Sequence, residues 1–295
     1  MDKYWINGKL VNKEQASISV FDHGLLYGDG IFEGIRFYKH VPFCLEAHLK
    51  RLHQSALAIG LTLPYNQEEF KTAINAVIEK FSEADGYLRL VVTRGQGSLG
   101  INPNSCPRAT AFIIADQLSA IAPQVLQRGA KLIIASTRRL PADGLDPRLK
   151  SLNYLNNVLA KMEANQAGVD EAVLLNAQGY VTEGSTNNIF IVRDGQLFTP
   201  PVIDGALDGI TRKLIINLAA ELNIACCEKS LAAYDLYTAD ECFLTGTAVE
   251  LVAVREIGGR QLPTALGPVF TQLHEAFKNR IAANIDNQSI TRVAS

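Results

Sequence analysis

The chain has 295 residues, 47% hydrophobic and 20% charged, with a net charge of −2. That length suits two domains of about 100–200 residues each, with enough apolar side chains for a sizeable core. The near-neutral charge argues against nonspecific nucleic-acid or anionic-membrane binding, and no apolar run reaches the roughly 18 residues of a membrane span.

The start, MDKYWINGKL, lacks the apolar core of a signal peptide. Five cysteines (Cys44, Cys106, Cys226, Cys227, Cys242) are odd in number and lack CxxC or His-rich spacing. They read as reduced thiols of a cytoplasmic protein, with no metal site.

In chain order, Asn7-Gly8 between apolar flanks predicts a type I′ hairpin over 5–11. Residues 17–20 alternate briefly, and Asp22-His23-Gly24 reads as a turn. The stretch 25–38, LLYGDGIFEGIRFY, mixes glycines with aromatics. Gly28, Gly30 and Gly34 miss the dinucleotide fingerprint by one residue, and no βαβ unit surrounds them. They either let the backbone approach a ligand or kink a strand. A short strand is expected at 43–45. An amphipathic helix follows at 46–59, with Leu49, Leu52, Ala56 and Ile59 on one face and Gly60 as its stop. A second helix is expected at 64–81, with Phe70, Ile74, Val77, Ile78 and Phe81 inward. Strands follow at 87–93 and 109–115. Helices and strands without βαβ alternation make the first half α+β.

Residues 118–127 show no periodicity and contain Pro123, so they read as a linker between a domain at 1–117 and another at 128–295. Strands are expected at 130–136, 171–175, 180–183, 188–192 and 241–244, with helices at 153–166, 211–222 and 267–283. Asp194-Gly195 is a hairpin signal. In the 153–166 helix, Asn153 is the expected N-cap and Gly168 the C′ residue, while Leu152, Leu155, Leu159 and Met162 form one apolar stripe.

Two groups stand at element ends, where catalytic groups are often placed. Lys150 lies between a proline turn and a helix. It is either an ordinary solvated lysine or, in a partly dry site, a Schiff-base nucleophile. Glu183 in VTEGS is either a surface carboxylate or a group that keeps a ring nitrogen protonated, as pyridoxal chemistry needs. Thr211, the expected N-cap of the 211–222 helix after Asp208-Gly209-Ile210, and Thr245-Gly246-Thr247 after a strand both suit an anion such as phosphate. Arg51 near an apolar helix face is either a snorkelling residue or a phosphate clamp. Arg36, Arg89 and Arg94 in or beside apolar strands either bind carboxylates or pair with internal acids such as Glu33. His23 and His53 read as structural. There is no serine-hydrolase elbow and no P-loop.

These stretches together resemble the class IV, D-amino-acid-transaminase-like fold of pyridoxal-phosphate enzymes. Within it the chain looks most like a branched-chain amino acid aminotransferase. The residues that carry the resemblance are YGDGIFEGIR (27–36), HLKRLHQSA (48–56), RLVVTRGQGSLGINP (89–103), KSLNYLNNVLA (150–160), GYVTEGSTNNIF (179–190), DGITR (208–212) and ADECFLTGTAVEL (239–251), in the family's order. The resemblance implies a small N-terminal domain and a larger C-terminal domain with a β-barrel-like core, joined by a short linker, with the site at a dimer interface. Lys150 would form the Schiff base with pyridoxal 5′-phosphate and shuttle the proton. Glu183 would pair with the pyridine nitrogen and Tyr154 with the phenolate oxygen. Arg51, Ile210, Thr211, Gly246 and Thr247 would hold the cofactor, chiefly its phosphate. Tyr27, Phe32, Gly34, Arg36, Tyr87 and Arg89 would line the substrate pocket, with Thr247 and Ala248 on the α-carboxylate. The implied reaction is transamination between leucine, isoleucine or valine and 2-oxoglutarate. KSLNY is one residue shorter than in some branched-chain enzymes and is shared with D-amino acid transaminases and aminodeoxychorismate lyases. Against those relatives, FEGIR at 32–36 is the branched-chain form, and SLGINP at 98–103 lacks the Arg-x-His pair of the D-specific enzymes; the alternative on the same fold is D-amino acid or (R)-amine transamination, or aminodeoxychorismate lyase.

Overall fold

The Asn7-Gly8 turn joins β1 (Tyr4–Ile6) to β2 (Lys9–Val11), and both turn residues take the positive φ that a type I′ turn demands. The computed structural model describes residues 4–118 and 121–293. They group into two units: residues up to Leu118 with Leu149–Asn153 and the chain from Ile281, and the residues after Leu118 up to Arg148 with Tyr154–Arg280.

In the first unit, α1 (His23–Tyr27) precedes β3 (Gly30–Tyr38), β4 (Val41–Pro42), α2 (Leu45–Ala58), α3 (Gln67–Glu79), β5 (Gly86–Thr93) and β6 (Thr110–Asp116). The sheet is antiparallel in the order β2-β1-β6-β5-β3-β4. Directly paired residues share a face, so the register of β3 on β5 sorts the side chains. Ile31, Ile35 and Phe37, with Leu88, Leu90 and Val92, join the core formed with Leu49, Leu52, Phe70 and Ile74 of the helices. Phe32, Gly34 and Arg36, with Tyr87 and Arg89, lie on the other face.

Helix α3 starts where Asn66 accepts from Glu69 N–H (3.0 Å) and Glu69 returns a bond to Asn66 N–H (2.7 Å). This capping box sets the start later than the expected residue 64. The expected turn at 22–24 is instead the first turn of α1, because the Asp22 carboxylate accepts from Gly24 N–H at 2.8 Å. Residues 17–20 form no strand. The strand expected at 43–45 lies at β4, since Cys44 turns into the left-handed region (φ 54°) and opens α2.

In the second unit, α4 (Pro123–Arg128) leads to β7 (Ala130–Ile134), α5 (Leu155–Gln166), β8 (Glu171–Leu175), β9 (Val181–Gly184), β10 (Asn188–Arg193) and β11 (Gln196–Thr199). Then come α6 (Ile210–Glu221), β12 (Cys226–Glu228), α7 (Ala233–Tyr237), β13 (Glu241–Gly246), β14 (Glu250–Ile257), β15 (Arg260–Gln261) and α8 (Pro268–Val293), whose residues beyond Arg280 belong to the first unit. The mixed sheet runs β12-β11-β10-β13-β14-β7-β8-β9, with β15 on β14. β9 passes to β10 through a tight corner, where Gly184 N–H donates to Asn187 C=O at 2.6 Å, so the sheet curls on itself. Val173, Val181, Ile189, Leu244 and Val252 fill one core. On another layer Phe190 stacks on Phe243 at 5.2 Å.

Two local readings need correction here, and the stripe of α5 gains a direction. The stretch read as a patternless linker holds α4, which starts at Pro123: proline suits the first helical position, where no N–H bond is lost. Asn153 does not cap α5. Tyr154 occupies the cap position with no capping bond from its side chain, and Asn153 Nδ2 donates to Gly28 C=O at 3.0 Å. The apolar stripe of α5 faces outward, with Leu155 69% exposed and Val158, Leu159 and Met162 about half exposed, while Ala160 and Ala164 pack on the sheet.

Candidate active site

In the first unit, residues 150–152 run alongside the start of β3. Phe32 N–H donates to Lys150 C=O (3.0 Å) and Leu152 N–H to Gly30 C=O (2.9 Å). This backbone pairing fixes Lys150 on the face that carries Phe32. Its ammonium nitrogen lies 4.6 Å from the centre of the Phe32 ring. The Arg89 guanidinium carbon is 4.4 Å from the same ring and 5.7 Å from that of Tyr87. Both contacts are cation–π distances. Gly34 is opposite Arg89 and Arg36 opposite Tyr87. A Cβ at Gly34 would sit 1.8 Å from the Tyr87 hydroxyl, so a larger residue there requires the Tyr87 side chain to move. Tyr27 ends α1, half exposed, and its hydroxyl accepts from Gly100 N–H at 2.8 Å. Phe32, Gly34, Arg36, Tyr87, Arg89 and Lys150 are thus gathered on one surface.

Arg51 is placed differently. Its Nε and Nη2 each reach a different oxygen of the Glu33 carboxylate at 2.7 Å, on the helix-covered side of the sheet. His48, one helical turn before it, bonds the same carboxylate through Nδ1 at 2.8 Å. Burial alone would raise the Glu33 pKa, but the Arg51 guanidinium and the His48 ring hold it down at about 2. Burial pushes the His48 pKa down. Glu33 pulls it back up, while the Arg51 and Lys150 charges press it further down. The His48 imidazole is therefore neutral at pH 7 and donates from Nδ1 to an ionised Glu33. Glu33 serves Arg51, and not Arg36, Arg89 or Arg94; Arg94 pairs with Asp29 at 2.9 Å.

In the second unit, Glu183 lies buried near the end of β9. Its Oε1 takes an ion pair from Arg139 Nη2 at 2.8 Å. Its Oε2 accepts from Leu207 N–H at 2.9 Å and, at 3.5 Å, from Asn188 Nδ2. Tyr154 stands at the head of α5. Ile210 and Thr211 open α6, whose N-cap is Gly209 with no side-chain cap. The cap is therefore Gly209 and not the expected Thr211. A Cβ at Gly209 would sit 1.9 Å from Asn188 Oδ1, so the loop hugs the strand that follows Glu183. Gly246 ends β13, and Thr247 and Ala248 make the turn into β14. Beneath the 184–187 corner is a cavity of about 360 Å³, lined among others by Tyr154, Asn157, Glu171, Asn187 and Ala248. Sequence reading missed His48, Arg139 and Asn157. The spacing of His48 from Arg51 puts them on one helix face and offers a signal, whereas nothing local marks Arg139.

The family model for amino-transferase class IV matches residues 30–257. The chain belongs to the class IV aminotransferases. It is 49% identical over 278 residues to a Methanocaldococcus jannaschii protein provisionally named a branched-chain-amino-acid aminotransferase, covering 94% of this chain and 96% of that one. The crystal structure of the Escherichia coli branched-chain amino acid aminotransferase matches with a TM-score of 0.91 at 36% identity, covering 94% of each chain. The T.th. branched-chain amino acid aminotransferase solved with pyridoxamine 5′-phosphate also matches, with a TM-score of 0.91 and 36% identity over 96% of this chain and 95% of that one. Within the family the chain is a branched-chain aminotransferase of fold type IV and uses pyridoxal phosphate.

The residues present fit that cofactor. A lysine amine rests against an aromatic ring, a buried carboxylate is held by a cation and a backbone donor, and a helix start without a side-chain cap supplies donors suited to phosphate.

Proposed function

We propose that this enzyme moves the amino group of leucine, isoleucine or valine to 2-oxoglutarate through the candidate residues named above. The observation that carries the reading is the full-length likeness to branched-chain aminotransferases, one of them solved with the cofactor's amine form. When bound, pyridoxal phosphate supplies an aldehyde that condenses with amines and an electron-poor ring that accepts charge as the Cα–H bond breaks.

Lys150 Nζ would hold the cofactor at its aldehyde carbon, and its amine would take the proton from the substrate Cα. The Glu183 carboxylate keeps the ring nitrogen protonated, and the Tyr154 hydroxyl bonds the phenolate oxygen. Arg51, the α6 start at Ile210 and Thr211, and Gly246 with Thr247 bind the phosphate. Glu33 and His48 fix the guanidinium of Arg51 for that task. Backbone N–H groups at Thr247 and Ala248 take the α-carboxylate. Phe32, beside Gly34, Arg36 and Tyr87, meets the aliphatic side chain, while Arg89 with Tyr27 takes the second carboxylate of 2-oxoglutarate.

The reading includes a homo-oligomer working in the cytoplasm. Two apolar surfaces support association: Leu25, Leu99 and Ile101 in the first unit, at 60%, 73% and 84% exposure, and the outward stripe of α5 in the second. Among the described residues no helix is long and apolar enough to cross a membrane. Sedimentation equilibrium should give at least a dimer, and Leu155→Asp with Leu99→Asp should shift it toward monomer; a monomer in the parent protein refutes the assembly.

The activity is tested by the absorbance of purified protein. A band near the visible edge should shift with L-leucine and return with 2-oxoglutarate, and Lys150→Ala should abolish both band and turnover. A shift with D-alanine alone would move the chain to D-amino acid transamination. Turnover retained by Lys150→Ala would overturn the assignment.

A further inference from the structure

Glu183 is one corner of a closed ring of polar contacts that runs through two residues with no assigned role. Arg139 enters it with its backbone fixed, its N–H donating to Leu175 C=O at 2.9 Å. Its guanidinium then divides among three partners. Nε donates to Gly205 C=O at 3.1 Å, Nη1 to Asn157 Oδ1 at 3.1 Å, and Nη2 to Glu183 Oε1 at 2.8 Å. Asn157 closes the ring, its Nδ2 donating to Ser185 C=O at 2.6 Å, two residues beyond Glu183. Asn157 and Glu183 are buried, and the Arg139 side chain is nearly so.

Two physical facts give this ring a consequence. A carboxylate taken out of water turns neutral unless a cation or several donors hold its charge. A planar guanidinium that meets three partners at once has one orientation, which a lysine ammonium cannot reproduce. We propose that Arg139, oriented by Asn157, is the positioning residue that keeps the Glu183 carboxylate ionised and aimed, and through it keeps the cofactor's ring nitrogen protonated. The proposal rests on the pyridoxal-phosphate role given to Glu183 above. Arg139 touches neither cofactor nor substrate in this assignment; it acts through Glu183.

The test loads wild type, Arg139→Gln, Arg139→Lys and Asn157→Ala with pyridoxal phosphate labelled with ¹⁵N in the ring. It records the nitrogen chemical shift, the cofactor dissociation constant and the melting temperature of each. Wild type should show the protonated-pyridine shift. Arg139→Gln should move the signal toward neutral pyridine and weaken cofactor binding about tenfold, roughly one lost charge-assisted hydrogen bond. Arg139→Lys, which keeps the charge but loses the fork, should fall between. Asn157→Ala keeps both charges and loosens only the orientation, so it should give a smaller displacement in the same direction; it decides the matter if Arg139→Gln does not fold. Folded variants whose nitrogen shift and cofactor affinity match wild type would leave Arg139 as a structural ion pair and overturn the proposal alone. A wild type that binds no pyridoxal phosphate would overturn both this proposal and the reading beneath it.

Discussion

Glu33 and Glu183 invite comparison, since both are strand carboxylates almost wholly removed from water and both face an arginine. Their donors differ. Glu33 is met by Arg51 and His48, two side chains one turn apart on α2, which cover both of its oxygens on the core side of the first sheet. Glu183 is met by an arginine from an extended segment, a backbone N–H from the loop before α6 and a neighbouring asparagine. One pair is closed by a single helix; the other is held from several segments beside a strand end. Burial and charge alone therefore do not tell the two carboxylates apart. What distinguishes them is the origin of their donors.

The largest effect is expected from Glu183→Gln, which should lower turnover about 10²–10³-fold, the usual loss for one electrostatic group at a reacting centre. Steady-state rates with L-leucine check it. Glu33→Gln should act mainly on stability. It leaves the Arg51 charge buried without its carboxylate, at a cost of about 3–5 kcal/mol in urea unfolding. Its turnover per folded, cofactor-loaded molecule should fall far less than that of Glu183→Gln; equal losses would erase the distinction between the two sites.

The smallest effect concerns pH. The Glu33 pKa is depressed in the fold, so its contribution is present above the ordinary value of 4.5 and is lost as pH falls through about 2. The His48 pKa is also depressed, from 6.5, so below that pH the unfolded chain takes up a proton that the folded one refuses. Stability should thus fall as pH drops below 6.5, by at most about 1.4 kcal/mol per pH unit from this one histidine. His48→Gln should flatten the slope of unfolding free energy between pH 6.5 and 5. An unchanged slope would show that His48 is not held neutral.

Signals that act within a few residues were readable in the sequence. Asn7-Gly8 marks its hairpin because few residue pairs tolerate two positive φ values, and the run at 171–175 is apolar enough to declare a buried strand. Pro123 misled because proline both breaks and starts helices, and only the chain beyond it decides which. The stripe Leu155, Leu159, Met162 has a sound helical period, but a period does not say whether it faces the chain's own core or outward. Glu33 with His48 and Arg51 is partly readable, from two helix residues one turn apart and an acid in an apolar strand. Glu183 with Arg139 is not. Their pairing depends on where the segment after β7 lies relative to β9, which is a tertiary fact with no local trace.

The fit of Tyr87 over Gly34 also constrains how this enzyme can change over generations. Because the phenol hydroxyl occupies the very place of a missing methyl, alanine at position 34 requires the Tyr87 ring to swing aside. The less strained order of steps toward a different pocket shape is for the residue at 87 to shrink first, at the cost of a temporary void, before 34 grows. The two positions should therefore drift as a linked pair, with glycine at 34 wherever tyrosine is kept at 87.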